Sequence, residues 1–276
     1  MADPALALHE TVRALSHPYA VDGRVSWHPP DVRGFAPANC YLVAEGHDAL
    51  LIDTGLTIHR EAVAGQLERL LGDDDCLALL VLRQGEFDSV GNLVPLVDRF
   101  GVTDLYGQFD DVIGWADFHP GAVAGQGALR GPKPRSHVVG RRDTLELGGV
   151  PRLHAHRPAL RLLNTFWLYD EASRCLFTSD SFGHCTRSAE AGPWIVTAED
   201  DPADYETVRS HLLATRYWWI PQADVGEIRR DLASVFEAWP VETICPAWGC
   251  VLQGSEVVSR HYQLVDDVLR REARAR

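Results

Sequence analysis

The sequence predicts an α/β protein, and an αββα sandwich is the layout that suits it best. Two observations support this prediction. Predicted strands and helices follow one another in groups, as strands, helices, strands, helices, which gives two β-rich halves with helices outside them. No change in composition marks a linker, so we expect one domain over residues 1–276. This spacing alone would also allow other α/β layouts.

Composition narrows the functional classes. The net charge of −13 and the pI near 5.3 argue against binding to nucleic acid or to an anionic membrane surface. The sequence has no run of about 18 apolar residues, and its N-terminus lacks a basic start followed by an apolar block. We therefore expect a soluble, cytoplasmic protein. Its six cysteines are too widely spaced for a small disulfide framework.

The first half of the chain begins with a segment, residues 1–20, that we expect to be a helical extension. Asp3 and Pro4 are residue types typical of an N-cap and a first helical position, and the apolar residues that follow have helical spacing. Further strands are predicted over 24–28, 40–44, 49–52, 76–82 and 104–106, and helices over 61–71 and 93–100.

The second half begins after a segment rich in Gly and Pro, residues 107–137, which we interpret as a short helical turn and a loop. Alternating apolar runs joined by tight turns and amphipathic segments with helical spacing follow it. Strands are predicted over 138–147, 152–156, 165–169, 174–178 and 243–245, and helices over 205–219, 225–239 and 257–274.

The segment 79–92, LLVLRQGEFDSVGN, is the most informative part of the sequence. An apolar strand enters a Gly-containing turn, and a helical segment follows. This frame resembles the strand-to-loop junction of the metallo-β-lactamase superfamily, which reads His-x-His-x-Asp-His, or His-x-Glu-x-Asp-His in the flavodiiron branch. Here the four positions are Gln84, Glu86, Asp88 and Ser89, so both acids of the flavodiiron pattern are present and both histidines are replaced.

Four further segments resemble the flavodiiron lactamase-like domain and occur in the expected order. Residues 39–55 look like its opening hairpin, and residues 158–165 resemble Pro-x-Leu-His-Trp-Pro-Asp-Ser. Residues 175–183, CLFTSDSFG, resemble Leu-Phe-Ser-x-Asp-Ala-Phe-Gly, and residues 245–249, CPAWG, resemble Pro-x-His-Gly. The resemblance covers roughly residues 20–265 and implies the metallo-β-lactamase fold, an αββα sandwich.

The same resemblance implies which residues stand at the positions of a di-iron centre. Arginine and tryptophan side chains only donate hydrogen bonds, glutamine offers a weak neutral oxygen, and serine is a poor ligand unless ionised. The resemblance therefore implies the fold without its di-iron centre. The implied positions are Gln84, Glu86 and Arg161 for the first iron, Asp88, Ser89 and Trp248 for the second, and Asp180 as the shared carboxylate.

The acids at these positions need a compensating charge, because several buried carboxylates together are costly. We expect the Arg161 guanidinium to pair with Asp180, Glu86 or both, so that an arginine has replaced the metal. An inherited salt-bridge cluster, a metal-free pocket and a surviving metal site are the alternatives. A hard divalent cation would use the oxygen ligands of Gln84, Glu86, Asp88 and Asp180.

Three more pocket candidates come from loops that, by the resemblance, border the mouth of the site. They are His184, Cys185 and Cys250. Each thiol is either a small buried residue or a reactive group, and the two cysteines could also form a redox pair. We expect the Trp248 indole to plug the cavity and to donate a hydrogen bond to Asp88 or Asp180.

The resulting functional hypothesis is a flavodiiron-like protein that has lost its di-iron ligands. It would be a non-catalytic binding or partner protein, or an enzyme repurposed for metal-free chemistry on a small molecule. A metal-dependent oxidoreductase or hydrolase is the alternative, and a structural subunit of a homodimer is a third class. No cofactor is favoured, with iron or another divalent cation as the alternative.

Overall fold

The computed structural model describes residues 5–116, 129–162 and 164–273. Its strands form two mixed β-sheets flanked by helices, which confirms the predicted αββα sandwich. The chain divides into two compact units: Met1–His17 with Ala38–His156 and Leu163–Ser173, and Pro18–Pro37 with Arg157–Leu162 and Arg174–Arg276. The one-domain organisation stays a prediction.

The first unit contains the strands of one sheet, which pair in chain order from β1 to β7. β3 and β4 are antiparallel, whereas β4 to β7 run parallel. A separate antiparallel set, in the order β10-β9-β8, belongs to the second sheet. The strands are β1 (Leu6–His9), β2 (Val12–Val21), β3 (Gly34–Glu45), β4 (Asp48–Ile52), β5 (Cys76–Leu80), β6 (Asp104–Gly107), β7 (Arg135–Val138), β8 (Thr144–Leu147), β9 (Val150–His156) and β10 (Trp167–Asp170).

The helices of the first unit pack apolar faces onto this sheet. The predicted helix over 93–100 is observed with those bounds, and it buries Leu93, Val94, Leu96 and Val97. It ends at Gly101, whose left-handed backbone (φ +63°) is typical of a helix C-terminus. The helices are α1 (Arg60–Leu70), α2 (Phe87–Val90), α3 (Leu93–Phe100) and α4 (Val112–Ala116), with a 3-10 turn at Thr57–His59.

The second unit contributes strands in the order β12-β14-β13-β11. Two of its helices begin with aspartate N-caps: Asp204 accepts from the Thr207 N–H and Asp224 from the Gly226 N–H. The elements are β11 (Cys175–Ser179), β12 (Ile195–Val196), β13 (Thr243–Pro246), β14 (Val251–Gln253), α5 (Tyr205–Leu213), α6 (Val225–Ala238) and α7 (Ser255–Glu272), with a 3-10 turn at Ile220–Gln222.

The predicted N-terminal helix over 1–20 is wrong. The described part of this segment contains β1 and β2, an antiparallel pair in which Leu6 lies opposite Ala14. Val12, Ala14 and Leu15 are fully buried. Their apolar spacing fits either a helix or a strand, and burial within the sheet decides for the strand.

Three other predicted elements differ from the structure. The predicted strand over 24–28 is a turn, with a backbone hydrogen bond from His28 N to Val25 O. The predicted strand over 138–147 is broken at Gly140, whose N–H donates to the Asp143 carboxylate. The predicted helix over 205–219 ends at Leu213. Local hydrogen bonds stop the strand, and neither break has a strong sequence signal. Among the described residues, no helix has the length and apolar composition needed to cross a membrane.

Candidate functional site

The first group of predicted site residues lies on the turn between β5 and α2. The turn requires Gly85, whose backbone is left-handed (φ +99°), a conformation that favours glycine. Glu86 precedes α2 and is half-buried, whereas Asp88 and Ser89 lie on α2 and are buried. The structure therefore brings the predicted positions of this unit together in one short segment.

A buried ion pair joins Arg83 to Asp88. The two side chains are 2% and 8% exposed, and a guanidinium nitrogen contacts the carboxylate. Arg83 also bridges Thr165 through the backbone. A divalent cation at Asp88 would meet the positive charge of this guanidinium, which opposes binding strongly in a poorly solvated site. An arginine does compensate an acid here, although the observed arginine is Arg83.

Ser89 is held by the opening hairpin rather than aimed at a ligand. Its hydroxyl donates to Asp53 Oδ1, which also accepts from the Leu82 N–H at 2.8 Å. Asp53 itself has a left-handed backbone (φ +59°). The Thr54 hydroxyl donates to the Ser89 carbonyl at 2.9 Å. Ser89 is fully buried, so its oxygen is part of the packing between hairpin and helix.

Gln84 is engaged in the same way. Its side-chain oxygen, the atom that could ligate a cation, accepts from the Phe109 N–H at 2.9 Å. This oxygen packs so closely on Gly107 that a Cβ there would approach it to 2.5 Å. Phe109, the second residue after β6, is thus held by the side chain at the position where the resemblance places a histidine.

In the second unit, Asp180 and Arg161 have protein partners of their own. Asp180 is buried and accepts a hydrogen bond from the Tyr217 hydroxyl at 3.1 Å. Arg161 is half-buried, and its guanidinium donates to the Pro158 carbonyl at 2.6 Å. The expected pairing of Arg161 with Asp180 or Glu86 stays a prediction.

Trp248 lies in an aromatic stack. Its ring packs on Trp27, with centroids 5.6 Å apart and planes 23° apart, and Tyr19 meets it edge-on at 5.3 Å. The Arg216 guanidinium covers the other ring of the pair, 4.3 Å from the Trp27 centroid. The expected hydrogen bond to Asp88 or Asp180 is wrong, because the buried indole nitrogen has no hydrogen-bond partner among the described residues. Stacking sets the orientation of the ring instead.

His184 belongs to a hydrogen-bonded series of side chains in the second unit. Its Nε2 lies 2.7 Å from His261 Nδ1, and the two rings stack with centroids 4.9 Å apart. His261 Nε2 lies 3.1 Å from the Asp201 carboxylate, which also pairs with Arg260. Sequence reasoning found His184 and missed the other members, since they are distant in the chain and belong to no motif.

Two further histidines adjoin this series. The His211 ring meets His184 edge-on, with centroids 5.9 Å apart, and lies 6.1 Å from the His28 ring. His28 Nε2 is 2.6 Å from the Tyr19 hydroxyl. Burial lowers the pKa of His28 to about 4 and that of His211 to about 3, and it lowers the pKa of His184 well below the usual value. All three imidazoles are therefore neutral near pH 7.

Cys185 and Cys250 are next to each other but do not form an exposed rim. The Cys250 N–H donates to the Cys185 carbonyl at 3.0 Å, and the side chains are 0–1% exposed. Burial raises the pKa of Cys250 to about 12 and that of Cys185 well above its usual value. Buried thiols of this kind stay protonated when no metal is bound and react slowly with solutes, which favours the interpretation of small buried residues. That their loops border the mouth of a pocket stays a prediction.

The residues at the implied di-iron positions therefore do not fit such a centre. The oxygens of Gln84 and Ser89 are used in protein hydrogen bonds, and Asp88 is paired with an arginine. Arg161 and Trp248 offer donors only. No step of chemistry can be derived for this chain through iron held at these positions.

Comparison with known proteins agrees with the fold. Residues 33–216, more than half of the chain, match the sequence model of the metallo-beta-lactamase superfamily. The structure is similar to rubredoxin oxygen:oxidoreductase from Desulfovibrio gigas, with a TM-score of 0.70 at 15% identity over 96% of this chain and 61% of that one. It is also similar to the flavodiiron protein from Giardia intestinalis, with a TM-score of 0.68 at 13% identity over 98% of this chain and 60% of that one.

A third similar structure is a fragment of putative diflavin flavoprotein A 5 from Nostoc sp., with a TM-score of 0.67 at 12% identity, which covers 97% of this chain and 95% of the fragment. The chain spans about three fifths of the length of the first two proteins. Comparison with curated protein sequences finds no match. At these identities the likeness establishes a flavodiiron-like fold.

Proposed function

The chain belongs to the metallo-β-lactamase superfamily, and we propose that it is a member that works without metal at the family's di-iron position. It acts as a binding or partner protein rather than as an oxidoreductase. One observation carries the proposal: the buried contact between Arg83 and Asp88 supplies a fixed positive charge to an acid that the resemblance assigns to the second iron.

The neighbouring positions support the same proposal. A ligand must offer a lone pair towards the metal, yet the Gln84 oxygen accepts from the Phe109 N–H and the Ser89 oxygen accepts from the Arg83 N–H at 3.3 Å. Breaking these contacts to admit a cation would leave buried polar groups unsatisfied, at a cost of about 1–3 kcal/mol each. Both side-chain oxygens are therefore engaged within the protein without a metal.

The resemblance would otherwise suggest an oxidoreductase, as the name of the Desulfovibrio gigas protein indicates for that protein. A metal-dependent oxidoreductase or hydrolase with oxygen ligands would use Gln84, Glu86 and Asp88 in the first unit. The Arg83 guanidinium opposes that alternative, because it and a divalent cation would compete for the same carboxylate. The remaining parts of the proposal are a small-molecule or protein ligand, pairing with a second copy of the chain, and a cytoplasmic location.

The test is the metal content of the purified chain, measured by mass spectrometry for iron, zinc and manganese. The wild type is compared with Glu86→Gln and Asp180→Asn, and with Glu242→Gln as a control for an exposed acid. We expect no bound metal whose amount depends on Glu86 or Asp180. One or two equivalents that disappear in either variant, and persist in the control, would overturn the proposal.

A further inference from the structure

A cluster of metal-ligating side chains lies in the second unit, apart from every position that the resemblance assigns to iron. It consists of His184, Cys185 and His261, all buried. One nitrogen of each histidine and the thiol sulfur lie within 4.8 Å of one another. We propose that these three side chains bind a transition-metal ion of the zinc type.

The hydrogen bond between the two imidazoles marks where the ion would bind. His184 Nε2 and His261 Nδ1 are 2.7 Å apart, so a proton of one ring lies on the lone pair of the other. Two nitrogens bound to tetrahedral zinc at about 2.1 Å stand about 3.4 Å apart. A cation can therefore take the place of the shared proton if the rings separate by less than 1 Å, about the size of an ordinary side-chain adjustment.

Asp201 orients the second of these ligands. Its carboxylate is 3.1 Å from His261 Nε2, so that nitrogen carries the proton and Nδ1 presents its lone pair to His184. The carboxylate is itself fixed by Arg260 at 3.2 Å and by the Ala203 N–H at 2.9 Å. A carboxylate that holds the outer nitrogen of a histidine is the usual support for a histidine that ligates a metal.

The charge state of the cluster suits a cation. Imidazoles ligate in the neutral form, and the hydrogen bonds from His184 to His261 and from His261 to Asp201 are satisfied with both rings neutral. When the metal–sulfur bond forms, the Cys185 thiol loses its proton to solvent and becomes a thiolate. His184 keeps one proton by moving it to its other ring nitrogen. The thiolate and the Asp201 carboxylate together offset the dication, and the Arg260 guanidinium that pairs with Asp201 is 50% exposed, so that solvent screens its charge.

The donor set indicates the kind of metal. Two imidazole nitrogens and one thiolate sulfur suit zinc or cobalt(II) in tetrahedral geometry better than magnesium or calcium, which prefer oxygen. Three protein ligands leave one position, which a water molecule can fill. A fourth position of this kind is typical of zinc sites that bind a small ligand.

The experiment is a titration of the metal-stripped full chain with cobalt(II) and then zinc(II). All proteins carry Cys76→Ser, because Cys76 is the exposed thiol and could bind metal adventitiously. We expect one equivalent of cobalt to give a sulfur-to-cobalt charge-transfer band with tetrahedral d–d bands, and one equivalent of zinc to remove both. Absence of these bands in the parent protein would overturn the proposal.

Variants locate the ion. Cys185→Ser should remove the charge-transfer band, and Asp201→Asn should weaken zinc binding about 10–100-fold while one equivalent still binds. Cys250→Ser is the matched control, because this neighbouring thiol lies outside the cluster, and it should keep the band. A band that survives Cys185→Ser, or that vanishes in Cys250→Ser alone, contradicts the assignment.

Two further variants separate this inference from the proposed function. Glu86→Gln should leave the cobalt spectrum unchanged, since it lies at an implied iron position. If Glu86→Gln abolishes binding, the metal sits at the family position, and both proposals fail. If Cys185→Ser is too unstable to purify, His261→Gln and Asp201→Asn still decide: cobalt bands identical to the parent in both, with unchanged affinity, place the ion outside the cluster.

Discussion

The guanidinium of Arg83 contacts the carboxylate of Asp88 in the interior of the first unit, five residues along the chain. The arginine follows the end of β5, and the aspartate lies on α2. The turn at Gly85 returns the chain so that the two charges meet. The charge of each side chain is therefore balanced by the other at the junction between β5 and α2.

Arg83→Met should destabilise the protein by about 3–5 kcal/mol, because it leaves the Asp88 carboxylate buried without a counter-charge. The free energy of unfolding in urea measures this. The double change Arg83→Met with Asp88→Leu should cost less than Arg83→Met alone. Arg174→Met, which breaks the half-exposed pair with Glu242, is the control and should cost less than about 1 kcal/mol. Equal losses for Arg83 and Arg174 would contradict the buried pairing.

Ser89→Ala should lower the free energy of unfolding by about 1–3 kcal/mol, since the buried Asp53 carboxylate loses a donor. Chemical denaturation compares it with Ser234→Ala, at an exposed position on α6, which should be nearly neutral. If the two substitutions cost the same, the hydroxyl of Ser89 contributes nothing specific to the hairpin.

One thiol per chain should react quickly with a thiol reagent in the folded protein. Cys76 is exposed, whereas the other five cysteines are buried, and the pKa of the Cys250 thiol is raised to about 12. Cys76→Ser should therefore abolish the fast phase, and full labelling should appear only on unfolding. Fast modification of Cys185 or Cys250 in the Cys76→Ser protein would show that the second unit opens more readily than its packing indicates.

Stability should fall as the pH drops from about 6.5 to about 4. The pKa of His28 is lowered by burial from 6.5 to about 4, so within this window the unfolded chain binds a proton that the folded chain does not. The groups that face it are the Tyr19 hydroxyl and the neutral His211 ring. His28 alone should account for a loss of about 3 kcal/mol across the window.

Thermal or urea unfolding at several pH values measures this loss, with His28→Gln as the test variant. The slope should be reduced but not abolished, because His184 and His211 have lowered pKa values from the same cause. If His28→Gln keeps the full dependence of stability on pH that the wild type shows, His28 does not titrate as a buried neutral group.

Sequence patterns predicted most of the helices and strands, because an element that buries one face repeats its apolar residues at a characteristic spacing. The helix over 93–100 is the clearest example, since its apolar face and terminal glycine both act locally. The helix predicted for the N-terminal segment was wrong for the opposite reason. The spacing of Val12 and Leu15 is compatible with a helix, and only the pairing of β2 with β1 decides for a strand. Local patterns do not encode which strand a residue will meet.

The sequence predicted which residues stand at the site positions, but it did not predict which side chains pair with one another. The frame of Gln84, Asp88 and Ser89 followed from the resemblance. Arg83 stood out only as a guanidinium adjacent in sequence, and Arg161 was expected to pair with the acids instead. Side-chain pairing depends on how a turn folds, and position 83 carries no motif. The link from His184 to His261 spans 77 residues and depends on where α7 lies. A single histidine on an amphipathic helix carries no signal of such a partner.

The hydrogen bond from Ser89 to Asp53 also determines which residues position 89 tolerates. A histidine there would leave the buried Asp53 carboxylate without this donor and would crowd a fully buried position. A Ser89→His substitution is therefore destabilising on its own. Because Glu86 is only half-buried, position 86 should accept substitutions more readily than position 89.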